Sequence, residues 1–107
     1  MQLIIDKLSE QYHVDAEKLT YFADHDLIRI KYPYNAQDEK KLGVVCSLYE
    51  IGLNAGQIKR YLSLEDDREE QIKLLHAMRN SLMKDIHARQ KSLDQLDYIL
   101  YGLKNNK

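Results

Sequence analysis

The sequence predicts an all-α, mostly helical protein: a head of short helices followed by a long C-terminal coiled-coil helix. Three observations predict it. Apolar residues recur at helical spacing through the first 62 positions, and the segments they mark are separated by residues that start and stop helices. From Arg68 there is no proline, and no glycine before Gly102. Over that same stretch Ile72, Leu75, Arg79, Leu82, Ile86, Arg89, Leu93, Leu96, Leu100 and Leu103 follow one another by threes and fours, the seam of a heptad repeat. The boundaries that follow are a head at 1–62, a linker at 63–67 and a dimerisation helix at 68–107.

The first helix is expected over Leu3 to Tyr12, with Ile5, Leu8 and Tyr12 on one face. His13 is a turn residue; histidine tolerates a positive φ better than most non-glycine residues. A second helix follows Asp15, an N-cap candidate, with Val14 and Leu19 as a hydrophobic staple, and stops between Asp24 and Asp26. Two short helices joined at His13–Val14 have helix-turn-helix spacing. Arg29 to Tyr34 is a short strand-like link in which Pro33 fixes φ and discourages helix. Helix three runs from Asn35 to Glu50 or Ile51, with Leu42, Val45, Leu48 and Tyr49 inward and Asp38, Glu39, Lys40 and Lys41 wet. Gly52 stops it. Asn54 and Gln57 then spell a capping box, with Leu53 stapled to Ile58. The last helix, about 50 Å long, carries a seam it cannot bury alone, so a partner helix is required.

The order of these signals has a family counterpart. Ile5, Leu8, Ser9, Val14, Leu19, Leu27 and Ile28 in the first half, then Tyr34, Asp38, Leu42, Leu48, Gly52, Ile58 and Leu62 in the second, resemble the MerR family of bacterial transcriptional regulators. The resemblance implies a winged helix-turn-helix head, here with a shortened wing, and a homodimer joined by an antiparallel coiled coil. It implies double-stranded DNA as partner, with Lys18, Thr20, Tyr21, Arg29, Lys31 and Tyr34 as the contacting residues. Several positions depart from the family. Glu17 and Thr20 stand where it commonly places arginines, Phe22 stands for an aromatic that is often tyrosine, and His13 occupies a turn glycine. Asp15 and Glu17 suit the positive end of a helix and oppose a phosphate in the same place.

Charge gives DNA binding no support. The net charge is −1, with eight basic and nine acidic residues in 1–62 and eight of each in 63–107. No nucleotide-binding glycine fingerprint, HExxH or nucleophile elbow is present, and His13, His25, His76 and His87 share no metal spacing. No enzyme activity, cofactor or metal is expected. Cys46 is the single cysteine, read as a small buried hydrophobe. No leader or membrane segment is written in the sequence, so a cytoplasmic protein without an effector domain is expected. Two functions compete: a DNA-binding regulator, and a dimeric protein-interaction module that has lost DNA reading. For the dimer, facing residues whose numbers add to 175 set Leu82 against Leu93, Arg79 against Leu96 and Arg89 against Ile86, with Asp97 and Asp85 beside the arginines.

Overall fold

The computed structural model describes residues 2–105; positions 1, 106 and 107, expected as the outer ends of the head and of the dimerisation helix, lie outside the described residues. It contains five helices and, among the described residues, no strand: α1 Gln2–Tyr12, α2 Ala16–Asp24, α3 Ala36–Ile51, α4 Ala55–Ser63 and α5 Arg68–Asn105. The chain divides into two compact units, Met1–Asp66 and Asp67–Lys107. No helix among the described residues is long and apolar enough to cross a membrane.

The core of the first unit is built from one face of each helix. Ile5 and Leu8 come from α1, Leu19 and Phe22 from α2, Leu42, Val45 and Leu48 from α3, and Ile58 from α4. Leu27, Ile28, Tyr34 and Leu53, from the connections, complete it. Aromatic edges tie α2 to α3: Tyr49 lies 5.3 Å from Phe22 at 78° and 5.5 Å from Tyr21, ring centre to ring centre.

The helix boundaries have local causes. His13 stands at φ 54°, the left-handed turn that the sequence required of it. Asp15 occupies the N-cap of α2, but its carboxylate makes no capping bond, so the expected cap is positional only. The end of α2 is made by Asp26 at φ 58°, with the Asp26 N–H donating to the Ala23 carbonyl at 3.1 Å and the Leu27 N–H to the Phe22 carbonyl at 2.8 Å. This pair of back-bonds is a Schellman stop, and it swings Leu27 into the core. Gly52, at φ 112°, ends α3 the same way, with the Leu53 N–H donating to the Leu48 carbonyl. Both downstream helices open on full capping boxes. The Asn54 side chain accepts from the Gln57 N–H and Gln57 accepts from the Asn54 N–H, each at 2.9 Å. Asn35 and Asp38 do the same at the start of α3.

Between α4 and α5, Ser63 closes α4 and Asp67 caps α5 by accepting from the Glu70 N–H at 3.2 Å. The 29–34 link forms no strand. Instead Tyr34 is buried against Tyr12, 5.9 Å between ring centres, and the Lys7 ammonium sits 5.3 Å over the Tyr32 ring.

The second unit is different in kind. α5 runs for 38 residues and contains no buried residue. Ile72, Leu82, Ile86, Leu93, Leu96, Leu100 and Leu103 are all exposed, as is Tyr101, and Tyr98 stands out furthest.

Candidate nucleic-acid interface

The side chains expected to meet DNA do not all face outward. On α2 the Thr20 hydroxyl donates back to the Ala16 carbonyl at 2.9 Å, a bond that occupies its proton inside its own helix. Tyr21 is half-buried, packed against Tyr49 and stacked on His25 at 4.3 Å, while His25 Nδ1 meets the Tyr21 carbonyl at 2.8 Å. Lys18 is half-buried beside α3, where it lines a cleft of about 320 Å³ with Cys46, Tyr49 and Glu50. The exposed residues of α2 and its N-cap are Asp15, Glu17 and Asp24. The outward surface of this helix is therefore acidic.

Tyr34 is withdrawn from the contacts. It is 8% exposed and its hydroxyl donates to the Arg29 carbonyl. Burial, with the Asp38 carboxylate nearby and Tyr12 after it, pushes its phenol up to about 12. A phenol held in the core this way organises the link and has no proton to offer a phosphate.

Arg29 and Lys31 remain, and the structure adds Lys41. All three line a cleft of about 290 Å³ at the start of α3, together with Gln37, Asn35 and Asp38. Arg29 and Lys41 are exposed, without an ion-pair partner among the described residues. Lys31 is engaged: its ammonium lies 2.8 Å from the Asp38 carboxylate. The Lys31 ammonium, followed by the Asn35 N–H, holds that carboxyl below the usual carboxylate range. Asp38 is thus a half-buried cap and counter-ion, where the sequence suggested a solvated charge. Lys41 belongs to the site because one turn of α3 brings it back over the first-turn residues. Its spacing from Gln37 and Asp38 is the sequence signal for that.

Cys46 is half-buried, and burial, with Glu50 after it, pushes its thiol up. That favours the protonated, unreactive form near neutral pH. No group of three or more potential metal ligands occurs among the described residues.

No protein-family model, no curated protein and no solved structure matches this chain, so its resemblance to the MerR regulators rests on the residues quoted above.

Proposed function

We propose that this chain is a MerR-like DNA-binding regulator that acts as a homodimer and holds DNA mainly by its phosphates. The observation that carries the reading is the gathering of Arg29, Lys31 and Lys41 around one cleft, on a head whose α2 surface is acidic. Phosphate contacts fix position and supply affinity; sequence is read by base edges, which need donors on the helix in the groove. With Lys18 turned towards α3 and the Thr20 proton already used, α2 has few donors left to discriminate between bases. The helix-turn-helix spacing of α1 and α2 supports the winged-helix reading of the head, with the packed 29–34 link in place of a full wing. The unburied stripe on α5 supports the homodimer, through an antiparallel coiled coil.

The test is selection of random duplexes by gel shift at low salt, repeated near physiological salt. Binding is expected at low salt, with a weak consensus and a shallow salt dependence, since each phosphate contact contributes about −0.9 to the log–log slope and few cations are available. Arg29→Ala and Lys41→Ala should each flatten that slope, and Glu17→Arg should tighten binding. Absence of any shift at low salt sinks the proposal. The acidic face formed by Asp15, Glu17 and Asp24 favours a second reading, a dimeric protein-interaction module that does not touch DNA. Absence of a low-salt shift in the wild type and in all three variants would decide for it.

A further inference from the structure

The cleft at the start of α3 contains its own competitor. Three cations surround it, and one of them, Lys31, is held by Asp38. We propose that the cleft seats a single phosphate group between Arg29, Lys31 and Lys41, and that the arriving phosphate takes Lys31 from Asp38. This rests on the DNA reading for the source of the phosphate, but the seat itself does not.

The geometry makes the exchange inexpensive. The Lys31 side chain is 42% exposed and that of Asp38 19%, so the pair opens to solvent on the lysine side, where ion pairs contribute little. Asp38 does not become an orphan when Lys31 leaves, because it still accepts from the Asn35 N–H at 3.1 Å. The cap of α3 therefore survives the loss. At the helix start the Asn35 and Asp38 N–H groups are both committed to the capping box, so neither is open to a ligand. The ligand is held by side chains. A phosphate diester from a duplex and free inorganic phosphate offer the same oxygens to such a seat.

The experiment uses the full chain and compares wild type, Asp38→Asn, Lys31→Ala, the double variant, and Glu39→Gln as a charge-matched control on the same helix. Asparagine keeps an acceptor for the Asn35 N–H, and circular dichroism checks that α3 persists. With a mixed-sequence duplex as probe, Asp38→Asn should tighten binding roughly two- to fivefold, the span of a surface ion pair. That gain should vanish in the Lys31→Ala background, and Glu39→Gln should give less. An equal gain with and without Lys31 would mean that only net charge matters, and would overturn the exchange. A second arm measures the rise in melting temperature on replacing chloride by inorganic phosphate at constant ionic strength. If no variant binds duplex but phosphate stabilises Asp38→Asn more than wild type, and does so only with Lys31 present, the seat stands and the DNA reading falls. If neither probe responds to Asp38→Asn, the inference is wrong, whatever Arg29→Ala does to DNA binding.

Discussion

The two units of this protein draw on helical order in opposite ways. Residues 1–66 fold four short helices around twelve buried hydrophobic residues, and the ends of those helices are fixed by three left-handed residues and two capping boxes. α5 is longer than any of them and buries nothing. Short helices are marginal alone and owe their stability to packing. A long helix has more internal bonds, but an apolar stripe left in water gains none of the transfer energy that burial supplies, about 1.5–3 kcal/mol for each large side chain. The head buries its apolar faces within one chain; the stripe on α5 stays unburied.

The sharpest way to break that contrast is to spoil the stripe. Leu93→Glu places a charge at the middle of the seam, twice in a symmetric pair, and should convert the protein to monomer by sedimentation. Far-UV ellipticity should fall while the aromatic signal of the head is retained. The register is tested by mixing Leu82→Cys with Leu93→Cys protein, each in a Cys46→Ala background, under mild oxidation. The mixed pair should cross-link fastest. Dominant Leu93-to-Leu93 coupling in the single variant would mean a parallel coil and overturn the antiparallel one.

Next in size is the reverse experiment on the head. Phe22 is wholly buried and touches Tyr49 and Tyr21. Phe22→Ala should cost about 3–5 kcal/mol, unfolding the head in chemical denaturation while the chain remains associated. Loss of association together with the head would show that the two units are not energetically separate.

Much of this organisation was legible in the sequence, where the signals are local. The Asn54–Gln57 box, the Gly52 stop, the turn at His13 and the long α5 depend on residues within one turn of each other. Leu42, Val45 and Leu48, the inward positions of α3, follow from helical period alone; Tyr49, expected inward with them, is 36% exposed because it lies at the edge against Tyr21 and Phe22. What was not legible depends on the link from Arg29 to Tyr34, which has no period. Nothing in the spacing says that Tyr34 turns inward, or that Lys31 reaches Asp38 across a proline. The direction of Lys18 was hidden for a related reason: the phase of α2 against α3 is set by the packing of Phe22 and Tyr49, not by the sequence of α2 itself. The contacts inferred for the head's binding surface were the ones that shifted most.

Tyr34 gives a smaller and pH-dependent effect. Its phenol is raised to about 12 in the folded head, because burial disfavours the charged form. The folded state therefore keeps its proton while the unfolded chain loses it near the ordinary value of 10. The stability this contributes is full below pH 10 and is lost as pH rises through 12. Alkaline titration of the melting temperature should show a decline across that window. Tyr34→Phe should remove that contribution to the decline and lower stability at neutral pH by about 1 kcal/mol, since the Arg29 carbonyl loses a donor. An unaltered alkaline profile in Tyr34→Phe would mean that another group governs it.

The smallest effects sharpen the comparison at single residues. Asp26 holds a left-handed conformation at the end of α2, which an L side chain adopts at a cost that glycine avoids. Its ion pair with Lys59 is long, 3.9 Å, and both side chains are well exposed, so little is lost with it. Asp26→Gly should therefore stabilise the head, but by less than about 1 kcal/mol, because glycine also loosens the unfolded chain. Gly102 is the opposite case. It lies inside α5, and a Cβ added there would meet nothing within 4 Å in the protomer. Gly102→Ala should stabilise α5 by about 0.8–1 kcal/mol. Amide hydrogen exchange at Leu27 and at the C-terminal turns of α5 separates the two. Each substitution should slow exchange in its own unit and leave the other unchanged. Faster exchange at Leu27 in Asp26→Gly would mean that the Asp26 carboxylate contributes more to that turn than its backbone strain removes.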